Sequence, residues 1–470
     1  MAASCRRCCA SWCARAERPY PRARRQAPPG FFCKLGNVIL RASLLHAVGE
    51  GPLEARLEGW SDGGLFIENG RIADAGPFAE VRARHPGAKV RRLEGGLLLP
   101  GFVDAHVHYP QTGVIGALGL DLLDWLEQVT LPAEARFADE AYARREARTF
   151  LRALVRSGTT RALVFGSHFA PAQAALFEEA ATLGFPLTSG LATGDRNLRG
   201  ELHTTPERAY EENRALIERF HGKNGLRYAV TPRFALSASE ALLEVSGALL
   251  RAHPDLHFQT HLNENPRETE AVARLFPTAR DYLDVYDRYG LVGPRAVFAH
   301  DVHPNPRELE RLAASAAWVA HCPSSNTFLG SGLFPMRAHL AAGARFALGT
   351  DVGAGTRFSL LGEAMDAYKT QRVREDGVNL SAAALLWLAT RAGAAALGQA
   401  DEAGGLEAGK SADLVWLRPL PNSTLEAVLN HAESAERALG ALFALAREAE
   451  VAAVWIRGRP VFERGMLQAK

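Results

Sequence analysis

Between about residues 99 and 351 the chain repeats one pattern: a short apolar run, a polar break, then a longer helix-like or irregular segment. Eight of the apolar runs are predicted as strands: 99–108, Arg161–Gly166, Pro186–Ala192, Leu226–Pro232, Leu256–His261, Ala296–His300, Ala317–Ala320 and Phe346–Thr350. Asp139–Ser157, Pro206–Phe220, Ala238–Arg251 and Ala382–Leu397 read as amphipathic or Ala-rich helices. Strand and helix in alternation argue for βα units and a parallel sheet. Eight strands fit a closed (β/α)8 TIM-like barrel of the α/β class better than an open doubly wound sheet. The chain also lacks a Gly-x-Gly-x-x-Gly after its first strand.

The flanks read differently. Val38–Leu40, Gly64–Ile67 and Arg71–Ala73 are strand-like, and Asn69-Gly70 is a strong two-residue hairpin signal. Near the other end, Ala412–Leu417 and Val454–Phe462 have the same β character. These pieces predict one small β-sandwich domain built from both termini. The expected organisation is a leader at 1–35, the β domain at 36–98 and 405–470, and the barrel at 99–404.

Composition narrows the class without naming a function. Hydrophobic content of 47% and charge of 23% are ordinary for a soluble enzyme. The net charge of +2 conceals a leader with seven Arg and one Glu in residues 1–33, leaving about −4 for the rest. That balance argues against a nucleic-acid partner. No apolar stretch reaches the ~18 residues of a membrane span, so no membrane partner is expected. Of six cysteines, five (Cys5, Cys8, Cys9, Cys13, Cys33) lie in the leader and only Cys322 in the body. The body is therefore expected to be disulfide-free and cytoplasmic. The leader has no apolar core of a signal peptide. It is expected to be a disordered Arg/Cys-rich extension rather than a transit peptide or a cysteine metal knot.

The chemistry gathers around Leu99-Pro-Gly-Phe-Val-Asp-Ala-His106-Val-His108-Tyr-Pro-Gln111. On a strand, residues two apart point the same way, so Asp104, His106 and His108 share a face. Two imidazoles at one strand end make half of a tetrahedral metal site. With 15 His in 470 residues, one such pair is close to a chance occurrence, so the surroundings must carry the reading. Polar residues collect at the other strand ends: Thr231-Pro-Arg233-Phe234 at the fourth, His261-Leu-Asn-Glu264 at the fifth, His300 at the sixth and Thr350-Asp351-Val-Gly at the eighth. Barrel enzymes place catalysis at those ends.

Pro-Gly-Phe-Val-Asp-x-His-x-His resembles the first-strand signature of the amidohydrolase superfamily, metal-dependent hydrolases and deaminases on a (β/α)8 barrel. His108-Tyr-Pro-Gln111, Leu122-Leu-Asp-Trp-Leu126, Thr130-Leu-Pro-Ala-Glu134, Thr-Pro-Arg-Phe and Thr-His-Leu-x-Glu are similar to segments of the guanine deaminase family. The resemblance runs from about residue 36 to the C-terminus.

It implies that His106, His108, His261 and Asp351 bind one divalent ion, Zn²⁺ before Fe²⁺, with water at the open position. The ion would lower the pKa of that water towards ~7. No Lys ends the fourth strand, so a bridging carbamylated lysine is not expected and the site reads as mononuclear. Glu264 would shuttle protons, His300 would hydrogen-bond the attacking oxygen, and Asp351 would accept a proton while ligating. Gln111 and Arg233 would read the purine, Phe234 would stack on it, and Glu264 and His300 would also touch it. Arg offers donors only, matching the O6 and N7 acceptors of guanine; the competing role for Arg233 is an ion pair with a rim carboxylate. For Glu264 the competing role is a helix-start carboxylate. His303, His321 and Cys322 are expected to be structural.

The implied activity is hydrolytic deamination of guanine to xanthine and ammonia, with guanine and water as small-molecule partners. Dimers are common among such enzymes, so a homodimer is expected from the resemblance alone. Its rivals are a deaminase or chlorohydrolase of the same superfamily acting on 8-oxoguanine, a triazine or an adenosine-like nucleoside, and a non-catalytic scaffold of that fold. Cys322 stands alone, which excludes the Cys-ligated zinc deaminases.

Overall fold

The computed structural model describes residues 36–465. The leader lies outside the described residues. Two sheets organise the fold, one parallel and one assembled from the two ends of the chain.

The parallel sheet is the barrel. Its strands are Phe102–His108, Thr159–Phe165, Leu187–Gly190 with Ala192–Thr193, Arg227–Pro232, His257–Leu262, Ala296–His300, Trp318–His321 and Arg345–Leu348. Each pairs in parallel with the next in sequence. The two short pieces at the third position pair with successive points of the fourth strand. The ring closes between its first and last members: Asp351 N–H donates to the His106 carbonyl at 2.8 Å, and His108 N–H donates to the Val352 carbonyl at 3.0 Å. All eight predicted strands are present.

The run predicted as one strand over 99–108 divides at Gly101. Leu97–Pro100 pairs with Leu414–Leu417 in the terminal sheet, and Phe102–His108 enters the barrel. A Cβ on Gly101 would lie 2.2 Å from Thr160 Oγ1, so the chain crosses between sheets where only glycine fits.

The terminal sheet orders its strands as Arg459–Glu463, Val451–Ile456, Leu414–Leu417, Leu97–Pro100, Val38–Val48, Arg56–Glu68 and Arg71–Pro77, with Lys89–Arg92 beside Val38–Val48. Asn69 and Gly70, at φ +53° and +81°, make the hairpin turn that their sequence predicted. The period of two divides the labour between faces. Leu97, Leu99, Val415, Leu417, Val454 and Ile456 join the barrel core. Leu98, Leu414, Trp416 and Trp455 join Leu40, Leu65 and Ile72 in a second core. That second core draws on both ends of the strand order, so the sheet folds over on itself as a sandwich.

Helices start where sequence chemistry allows. Asp139 accepts from the backbone of Ala141 and Tyr142 to cap Glu140–Arg156, and Asn265 forms a capping box with Glu268 ahead of Pro266–Leu275. Each such cap stabilises by about 1 kcal/mol. Ala170–Leu183 was not among the predicted helices; it is Ala-rich and buried on most sides, so it carries little amphipathic signal. Among the described residues no helix is long and apolar enough to cross a membrane.

Arg161 fastens the barrel to the C-terminal strands. It is 1% exposed, bonds Asp413 at 2.8 Å through Nε, and reaches Gln399 and Glu402. An Arg161→Met variant leaves Asp413 without its cation in the interior and is expected to lose about 3–5 kcal/mol of stability. Denaturant unfolding checks this; an unchanged midpoint would remove Arg161 as a fastener.

Candidate active site

Four side chains from three strand ends converge at the carboxyl end of the barrel. His106 and His108 leave the first strand on one face, His261 leaves the fifth, and Asp351 follows the eighth. His108 Nε2 lies 3.1 Å from His106 Nε2, 3.2 Å from His261 Nε2 and 3.1 Å from Asp351 Oδ1; His106 Nε2 lies 3.2 Å from the same oxygen. Ligands about 2.05 Å from a central ion in tetrahedral array would stand about 3.3 Å apart. The cluster fits a divalent ion on that ground. It also suits one, because imidazole nitrogens packed this closely cannot all carry protons. Burial pushes the His108 pKa down to about 4, and burial with the neighbouring imidazoles pushes His261 well below its usual value. Burial raises the Asp351 carboxyl, yet bonds from His106 and His108 outweigh it and hold the group well below its ordinary range.

Asp104, on the same strand, does not join the cluster. It accepts from Thr350 Oγ1 at 2.6 Å, Thr350 N–H at 3.0 Å and His106 N–H at 3.1 Å, tying the first strand to the last. Behind the cluster, His261 Nδ1 donates to the Arg233 carbonyl at 2.7 Å. That bond fixes the tautomer, leaving Nε2 free to accept a metal ion.

A small cavity opens beside the four donors. All five predicted substrate contacts line it: Gln111, Arg233, Phe234, Glu264 and His300. Its roof is the irregular helical segment Leu122–Ala135, which contributes Leu122, Trp125 and Leu126. Trp125 is 2% exposed and its indole N–H has no protein partner among the described residues.

His300, at φ +74°, directs Nε2 to within 3.4 Å of Glu264 Oε2. Its Nδ1 bonds Asn326 Oδ1 at 2.9 Å, so Nδ1 carries the proton and Nε2 is an acceptor. Burial lowers its pKa to about 4, which keeps it neutral. Glu264 is buried and pushed well above the usual carboxyl range, first by burial and then by Asp351 and Glu268. The carboxylate that starts the next helix is Glu268, not Glu264. Glu268 accepts from the backbone N–H of Glu264 at 3.1 Å and of Asn265 at 3.3 Å.

The ion pair weighed for Arg233 is present, and the arginine lines the cavity as well. Its partner is Glu134, at 2.6 Å from Nη1. Sequence reasoning gave Glu134 and His168 no role. Glu134 stands in Thr130-Leu-Pro-Ala-Glu134, where the only signal for it is a carboxylate placed among apolar positions of the roof. His303 bonds the Ser331 carbonyl at 2.6 Å, while His321 is buried against the ring of Phe334; neither lines this cavity.

The Amidohydrolase family model matches residues 97–461, and a bacterial imidazolonepropionase-like composite domain matches 63–88. The chain belongs to the amidohydrolase family. Within that family, a probable guanine deaminase of Deinococcus radiodurans is 57% identical over 433 residues, covering 91% of this chain and 99% of the relative. The solved structure of Escherichia coli guanine deaminase superposes with a TM-score of 0.87 at 36% identity, covering 91% and 99% of the two chains. An adenosine deaminase from Xanthomonas campestris, solved with bound zinc, has a TM-score of 0.79 at 27% identity, covering 93% and 95%. The chain is thus a hydrolytic deaminase of the amidohydrolase family.

Proposed function

We propose that this enzyme deaminates guanine to xanthine and ammonia, with one Zn²⁺ held by His106, His108, His261 and Asp351. The observation that carries the reading is a group of four convergent metal donors, three of which line the same cavity as Arg233 and Gln111. Three neutral imidazoles and a carboxylate suit zinc better than Fe²⁺, and zinc is present in the related adenosine deaminase structure. When bound, the ion supplies Lewis acidity and acidifies the water at its open position.

The protein's own groups do the rest. Arg233 donates to O6 and N7 of the purine, and Gln111 donates to O6 while accepting from N1–H. Adenine carries an amino donor where guanine has O6, so it would leave buried donors unpaired, and such a site rejects the mismatch strongly. Phe234 packs on the ring. With the ring so held, C2 faces the metal cluster. Glu264 takes a proton from the attacking water, delivers it to N3, and then relays the second proton of that water, released through Asp351, to the departing amino group. His300 Nε2 accepts a hydrogen bond from the attacking oxygen, and Asp351 takes up a proton during collapse. A reducing compartment such as the cytoplasm suits the buried thiol of Cys322.

Ammonia release from guanine, with 8-oxoguanine and adenine in parallel on protein of assayed metal content, tests the proposal. Fast release from guanine alone is expected. Metal-loaded protein that leaves guanine untouched would overturn the substrate while keeping the family. Arg233→Ala is expected to lower kcat/KM for guanine about 100-fold, the worth of charge-assisted bonds to O6 and N7. Pairing it with Glu134→Gln avoids stranding a buried carboxylate. Undiminished guanine turnover in both variants would remove Arg233 from recognition.

A further inference from the structure

Glu134 has no part in the chemistry above, yet it is buried at 2% exposure directly behind the purine-reading pair. Its Oε1 accepts from Gln111 Nε2 at 2.9 Å, and its Oε2 accepts from Arg233 Nη1 at 2.6 Å. His168 Nε2 lies 3.3 Å from the same Oε2 and 3.4 Å from Arg233 Nη1. Burial would push the carboxyl up; Arg233 and His168 outweigh it and hold the group well below its usual range, so it is a carboxylate.

Two consequences follow from this arrangement. The first is orientation. Gln111 gives one N–H to Glu134, and its Oε1 accepts from Gly353 N–H at 3.1 Å, so the amide cannot be turned over. One N–H and one lone pair remain for a ligand, as do the guanidinium donors not spent on Glu134. The second is charge. A buried guanidinium alone would make the pocket an anion trap, whereas the adjacent carboxylate cancels its charge and leaves its donors.

We propose that Glu134 is a positioning and specificity-determining residue, which holds Gln111 and Arg233 as a charge-neutral donor edge that admits a neutral aminooxopurine and does not retain an oxopurine anion. The inference rests on the guanine reading above. Xanthine has a carbonyl where guanine has its amino group and is the stronger acid of the two. Without Glu134, the anion of the product would stay paired with Arg233; with it, the Arg233 edge of the pocket carries no net positive charge to hold the product.

The test compares wild type with Glu134→Gln in steady-state turnover of guanine at mildly alkaline pH, using xanthine and the less acidic hypoxanthine as inhibitors. The variant is expected to raise KM for guanine and to strengthen inhibition by xanthine, each about tenfold, while inhibition by hypoxanthine does not strengthen. Metal content stays unchanged. A purely structural role would move both inhibitors together, and that outcome overturns the proposal. If Glu134→Gln does not fold, Glu134→Asp decides: it keeps the charge and withdraws the contacts, so KM rises while the ratio of the two inhibition constants stays at its wild-type value. A changed ratio there overturns the proposal. Wild type that fails to turn over guanine would instead refute the substrate reading.

Discussion

A Glu264→Gln variant is expected to keep its metal and its fold and to lose about 10²–10⁴-fold in kcat, the range for removing a positioned proton carrier. The amide has the shape of the carboxyl but cannot take a proton from water and return it to the ring. The backbone of residue 264 is held independently, by Glu268 on its N–H, so the substitution does not release the loop. Glu268 is itself anchored by Tyr282 Oη at 2.5 Å. The measurement pairs stopped-time ammonia assays with metal analysis of the same sample. Turnover within a few-fold of wild type would remove Glu264 from the reaction.

The second large effect is loss of the ion. Exhaustive chelation, or His261→Ala, is expected to take metal content from about one ion per chain to near none, and turnover to background. Re-addition of zinc should restore the chelated wild type and not His261→Ala at the same concentration. Stability should fall as well, because an ion that binds only the folded chain contributes about 4 kcal/mol at a thousand times its Kd. Thermal unfolding with and without zinc reads that difference. Chelated protein that retained full turnover would show that the four donors serve no catalytic metal.

The metal cluster was legible because its signal is local. His106 and His108 are two apart on a strand, and His261, His300 and Asp351 each close an apolar run, so strand prediction alone put them at one end of the barrel. Arg233 was legible for the same reason, at the end of Arg227–Pro232. Glu134 was not. It sits in a short helical turn at Leu131–Ala135 rather than at a strand end, and its partners Gln111 and Arg233 are distant in sequence. Nothing in periodicity links such positions. The same limit hid the division at Gly101. Leu97–Pro100 and Phe102–His108 are both fully buried runs, and only the tertiary partner of each tells one sheet from the other. Asp104 shares the strand with the two ligating histidines, but Thr350 claims its carboxylate.

The hydrogen bonds that join His106 to Asp351, and His108 to Val352, place the metal cluster across the seam where the first barrel strand meets the last. During synthesis the two histidines leave the ribosome long before Asp351 exists. A nascent or truncated chain can therefore hold no more than part of the ligand set, and the complete coordination sphere appears only when the ring has shut. An ion held by all four donors would bridge the first barrel strand, the fifth and the last. Metal uptake by this enzyme is, in that sense, a report that the last strand has found the first.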